Sequence, residues 1–154
     1  MEIRWLGHSA FEIITDENVK ILIDPFISNN PACPVPVEEL KPDIILVTHG
    51  HADHLGDAME ISSLTQASIA GTHELSLFLS KQGIRNVSLN LGGSFIFRDI
   101  KFTMLEAKHS ADIDIVEETA PGGVACGFLI TLSDGTKIYH AGDTALFGDM
   151  KTII

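Results

Sequence analysis

The segment Thr48-His49-Gly50-His51-Ala52-Asp53-His54 follows directly on an apolar run, Asp43–Thr48, that shows no polar alternation. Such a run suits a strand covered on both faces, as in layered α/β folds. The C-terminal ends of strands in open α/β sheets are where ligands usually sit. Here that position carries four candidate metal ligands, His49, His51, Asp53 and His54, and three of the seven histidines of the chain. Neutral imidazole is the commonest metal ligand, and imidazole with carboxylate suits zinc or a neighbouring transition metal. His49 and His51 are two apart, so on an extended strand end both rings point to one side. Asp53 and His54 lie beyond, where the chain bends into a helix, and together the four can serve two adjacent metal positions.

The rest of the chain reads as short apolar segments broken by Gly, Pro, Asp and Asn. Residues 2–14 and 19–24 are predicted strands, joined by Asp16-Glu17-Asn18 as a hairpin. Asp24-Pro25-Phe26 stops the second of them. Pro31, Pro34, Pro36 and Pro42 mark 27–42 as a surface loop that lines a site. A short helix is expected after the cluster through Leu55, Met59, Ile61 and Leu64, then a strand over 67–71 and a helix over Glu74–Gln82 ended by Gly83. Residues 87–91, 94–98, 101–108, 124–132 and 136–141 read as β, with Ser133-Asp134-Gly135 as a hairpin turn. The last ten residues, Ala145 to Ile154, resemble the opening turns of a helix.

Composition bounds the function. A chain of 154 residues with 45% hydrophobic residues is one domain, 1–154, with a real core. The net charge of −11, with only 10 scattered Lys and Arg, argues against nucleic acid as a partner. Apolar runs are too short to span a bilayer, and the N-terminus lacks a secretory pattern. Cys33 and Cys126, without a C-x-x-C pair, fit a reducing cytoplasm.

Two further pieces look like completions of the cluster. Lys108-His109-Ser110 ends a predicted strand with a lone His, and Tyr139-His140-Ala141-Gly142-Asp143-Thr144 ends another with an Asp beside a Gly. The set resembles the metallo-β-lactamase superfamily: residues 48–54 match its H-x-H-x-D-H motif, and His109 and Gly142-Asp143 match its next two ligand motifs in order. Trp5-Leu6-Gly7-His8-Ser9-Ala10-Phe11 and Ile23-Asp24-Pro25 are similar to a branch of metal-dependent hydrolases related to L-ascorbate-6-phosphate lactonases.

The resemblance implies a four-layer αββα sandwich of α/β class. It implies that His49, His51 and His109 hold one zinc, that Asp53 and His54 hold a second, and that Asp143 bridges them. Manganese or iron are alternatives to zinc. Asp53 is the candidate to orient the attacking water and shuttle a proton. Members of the superfamily also carry a last His after Asp143, which this sequence lacks, together with most of the second αβ half. On that pattern the chain is truncated, or another chain supplies the remainder, and the second metal is expected to bind substoichiometrically. Apolar surface left uncovered predicts a homo-oligomer.

Other residues carry weaker assignments. His8 is either a half-buried strand-end residue or a group facing the pocket, supporting a ligand or touching substrate. Asp24 is either a hydrogen-bond partner of a ligating His or a turn residue. His140 is expected to be structural beside the ligand-bearing turn, His73 a surface residue, and Lys108 a solvated charge. The function expected is hydrolysis of a small ester-type substrate, a lactone or a phosphoester. A silent metal-binding module is the alternative. The di-iron redox members of the superfamily replace the second His of the motif with a carboxylate and add a flavin domain; this sequence has His51 there and no such domain.

Overall fold

A computed structural model of the chain describes residues 1–115 and 117–154. Six strands form one mixed sheet: β1 (Glu2–Trp5), β2 (Phe11–Ile14), β3 (Lys20–Ile23), β4 (Ile44–Leu46), β5 (Ser68–Thr72) and β6 (Asn86–Leu89), in that spatial order. The first three pair antiparallel, and β3 to β6 pair parallel. Four more strands, β7 (Ser94–Phe97), β8 (Ile100–Glu106), β9 (Cys126–Thr131) and β10 (Lys137–His140), form an antiparallel meander in the order β10-β9-β8-β7. The parallel connections carry the helices α1 (Ala52–Leu55), α2 (Ala58–Thr65) and α3 (His73–Lys81), and α4 (Met150–Ile153) follows the second sheet.

The apolar pattern sets the layers. In β4 all three residues are buried, and they alternate between two cores. Ile45 packs on the helix side with Leu22, Ile69, Leu55, Ile61, Leu75 and Leu79. Ile44 and Leu46 pack on the other side with Ile21, Ile23, Phe102, Met104, Phe128 and Ile130. The register makes this possible, since Ile21, Leu22 and Ile23 lie opposite Ile44, Ile45 and Leu46. Each fully buried Ile, Leu or Phe stabilises the fold by about 1.5–3 kcal/mol, so the strand that launches the His cluster is held from both faces. In β8 burial alternates from Ile100 to Met104, as expected of a sheet with one face on the core. The order is therefore helices, mixed sheet, antiparallel sheet, an α/β architecture with two stacked sheets.

Three expectations need correction. Residues 2–14 are not one strand: they are a hairpin, β1 and β2, folded back at Gly7-His8 so that Trp5 lies opposite Phe11. The strand preceding the cluster ends at Leu46, so His49 and His51 stand on a loop and not on an extended strand end. Loop geometry brings the two rings together instead. The predicted helix over Glu74–Gln82 begins one residue earlier, where Thr72 caps it by accepting from the Leu75 amide.

Candidate metal centre

Three loops converge at one end of the sheets. The loop after β4 brings His49, His51, Asp53 and His54, the segment after β8 brings His109, and the turn after β10 brings Asp143. Backbone bonds tie these loops to one another. The Cys126 amide donates to the Thr48 carbonyl (3.0 Å), the Lys108 amide to Thr144 Oγ1 (2.9 Å), and the Ala145 amide to the Lys108 carbonyl (3.1 Å). His109 and Asp143 therefore meet although 34 positions separate their numbers.

His49, His51 and His109 are brought together, with ring centroids 4.5 to 5.2 Å apart. His49 Nε2 is 3.0 Å from His51 Nδ1. Asp143 Oδ2 lies between the two halves of the cluster, 3.7 Å from His109 Nε2 and 3.5 Å from His54 Nε2. Atoms sharing a tetrahedral ion at about 2.0–2.1 Å stand about 3.3 Å apart, so these spacings match a common ion. His54 adds a second sign: its side chain is fully buried, and its Nε2 has no hydrogen-bond partner among the described residues. A buried bare nitrogen is costly unless something it binds is expected there. The donor set fits a divalent cation.

Asp24 organises the cluster from beneath. Its fully buried carboxylate accepts from the Thr48 amide (2.8 Å), Thr48 Oγ1 (2.8 Å), His54 Nδ1 (2.9 Å) and His140 Nε2 (3.2 Å). With its hydroxyl proton given to Asp24, Thr48 Oγ1 accepts from His49 Nδ1 (3.0 Å). This network assigns the tautomers. In both His49 and His54, Nδ1 carries the proton and Nε2 is presented to the cluster, the arrangement that fixes metal-binding imidazoles. Burial would raise the Asp24 pKa, but hydrogen bonds and charge from His140 and His54 win and hold it well below the ordinary carboxylate value. Burial and the neighbouring His54 push His49 down to about 4, so it is neutral and a competent donor at neutral pH. Burial also works against the charged form of His54, yet Asp24, Asp143 and Asp53 outweigh it and raise its pKa.

His8 and Asp53 stand at the exposed margin, with His8 Nε2 3.0 Å from Asp53 Oδ2. Asp24 thus sits under the clustered histidines, bonded to Thr48 and His54, and is not a mere turn residue, and His140 packs against it. His73 lies outside the cluster, exposed at the start of α3 and 3.1 Å from Ser88 Oγ. Lys108 is solvated, near Glu106. The sequence reading missed Thr48, whose signal was a hydroxyl directly before the first ligand, and Ser110, whose Oγ is 3.4 Å from His51 Nε2. A cavity of about 490 Å³ beside the 27–38 loop is lined by Asn30, Cys33, Val35 and Glu60, and none of the clustered histidines or Asp143 lines it.

Residues 19–153 match the family described as the beta-lactamase superfamily domain. The chain belongs to this superfamily. It is 73% identical over its full length to a UPF0173 metal-dependent hydrolase of Methanobrevibacter smithii and 52% identical to one of Methanosphaera stadtmanae. It spans 64% and 66% of those two proteins, just under two thirds of their length. Among solved structures it is similar to Igni18, described as a novel metallo hydrolase from the hyperthermophilic archaeon Ignicoccus hospitalis, with TM-score 0.84 and 34% identity over 98% of this chain and 64% of that one.

Proposed function

We propose that this chain carries the metal centre of a metal-dependent hydrolase acting on a small ester-type molecule, a lactone or a phosphoester. The observation that carries the reading is the convergence of His49, His51, His109 and Asp143 with the bare Nε2 of buried His54. His49, His51 and His109 would hold one cation, Asp53 and His54 a second, with Asp143 between them. Zinc is the metal we favour for this His and carboxylate set, up to two ions; manganese and iron are alternatives. When bound, a divalent cation supplies Lewis acidity that makes hydroxide available near neutral pH, where free water has a pKa of about 15.7.

The protein's own groups supply the remainder. Asp24 and Thr48 hold His49 and His54 in one tautomer and orientation, so no reorganisation is needed as charge develops. Asp53, half-exposed at the mouth, accepts the proton of the attacking water and is the catalytic residue in this reading. The net charge of −11 weighs against a nucleic-acid partner and leaves a small-molecule substrate as the reading; among the described residues no helix is long and apolar enough to cross a membrane. Two free cysteines support a cytoplasmic setting. Association into a homo-oligomer is part of the proposal, and the native mass in solution tests it.

The test is metal analysis of the purified chain, with hydrolysis of a lactone panel and bis-p-nitrophenyl phosphate after metal addition. Metal-dependent turnover that disappears in Asp53→Asn supports the proposal. Metal uptake with no turnover of any substrate favours the silent metal-binding module.

A further inference from the structure

We propose that His8 is itself a metal ligand, closing the second cation position together with Asp53 and His54. The inference rests on the metal-centre reading and adds to it a residue from the first hairpin of the chain. The ligand-capable atoms of His8, Asp53 and His54 all lie within 4.8 Å of one another. His8 Nε2 is 3.0 Å from Asp53 Oδ2, close to the separation of about 3.3 Å expected of two atoms on one tetrahedral ion. The His8 and His54 rings are 5.2 Å apart at 72°, the same edge-on relation that His49, His51 and His109 show to one another. His54 Nε2 has no hydrogen-bond partner among the described residues, Asp143 Oδ2 standing 3.5 Å away, so a cation held by His8 and Asp53 would meet an otherwise bare donor there.

The hairpin is built to deliver this ring. Gly7 has φ +93°, and a Cβ there would meet the Asn30 amide at 2.7 Å, so only glycine fits. His8 follows at φ +49°, a left-handed conformation that non-glycine residues seldom adopt. Trp5 Nε1 donates to the His8 carbonyl (2.9 Å), the Asn30 side chain donates to the Leu6 carbonyl (3.2 Å), and the Phe26 ring stands edge-on at 5.9 Å. The turn is thus fixed on both sides, and the imidazole stands over Asp53 and His54.

The experiment titrates the chelator-stripped chain with cobalt(II), followed by visible absorption and by metal analysis after desalting. Wild type is expected to take up two equivalents, since His8 supplies a ligand that the expectation of a substoichiometric second metal left out. His8→Ala should keep the first and bind the second at least about tenfold more weakly, since even residues that only support a ligand change affinity by 10–100-fold. His73→Ala should match wild type. Nitrogen-15 shifts of the histidine rings in the wild-type chain, with zinc, give a readout that no variant's folding affects: the His8 Nε2 resonance should move with the second equivalent only. A second equivalent bound equally well by His8→Ala, or a His8 ring that does not respond, overturns the proposal. So does uptake of a single equivalent by wild type, which leaves the His49–His51–His109 site standing. Uptake of none overturns both.

Discussion

Asp24 Oδ2 lies 2.9 Å from His54 Nδ1, and both side chains are fully buried. One carboxylate therefore decides which face of His54 is offered to the cluster, and through Thr48 it decides the same for His49. Asp24→Asn keeps the shape but removes the charge and one acceptor. We expect zinc affinity to fall about 10–100-fold, the range seen when a ligand's supporting partner is lost. Asp24→Ala leaves the buried His54 and His140 without their partner and should cost about 3–5 kcal/mol of stability. Competition with a chromophoric chelator and urea unfolding measure the two effects. Unchanged zinc affinity in Asp24→Asn would show that the buried carboxylate does not set the ligand geometry.

Metal removal should be visible as lost stability. A ligand at 100 times its dissociation constant stabilises the folded state by about 2.7 kcal/mol, which for a chain of this size corresponds to a rise in Tm of roughly 5–10 °C. Thermal unfolding of the chelator-treated chain before and after zinc addition should show this rise. His109→Ala should remove most of it, because it deletes the imidazole that the segment after β8 brings to the cluster. An equal rise in that variant would place the bound zinc elsewhere.

Gly142 positions Asp143. Its φ is +60°, and a Cβ added there would lie 2.7 Å from Thr48 Cβ, so strain and collision act together. Gly142→Ala should cost about 1–2 kcal/mol from the left-handed backbone alone, and more from pushing Thr48 away from Asp24 and His49. Because both halves of the site share Asp143, uptake of every equivalent should weaken. Wild-type metal binding in Gly142→Ala, measured by calorimetry, would contradict the bridging place given to Asp143.

How much of this was legible in the sequence depends on the range of the interaction. The unbroken apolar run at 44–47 and the β segment at 101–108 are local patterns, and they found β4, buried on both faces, and β8, Ile100–Glu106. The fold-back at Gly7-His8 was missed because much of its signal lies in Asn30 and Phe26, which are distant in sequence and, with the neighbouring Trp5, hold a single left-handed His in place. For the same reason His8 gave only an ambiguous reading. Asp24 was equally ambiguous, since a turn residue before Pro25 and a buried anchor look alike until Thr48, His54 and His140 are seen around it. The histidines of residues 49–54 stand out in the sequence by their spacing, and their loop, not the expected strand end, sets the ring directions.

The two cysteines offer a test of the junction on which the centre rests. Cys126 opens β9, is fully buried, and directs both its amide and its Sγ to the Thr48 carbonyl, at 3.0 and 3.1 Å. Burial, then the nearby charge of Asp24, pushes its thiol pKa well up, so almost no thiolate is present at pH 8. Cys33 is half-buried in the 27–38 loop, its Sγ 3.3 Å from the Val35 carbonyl. Native protein should therefore react with a disulfide reagent at one thiol per chain, and Cys33→Ser should abolish that reaction. Both thiols should react once the chain is unfolded in guanidinium. Rapid labelling of Cys126 under native conditions would mean that the contact between the two sheets at Thr48 opens readily, and a centre assembled across that contact would not hold its ligands in place.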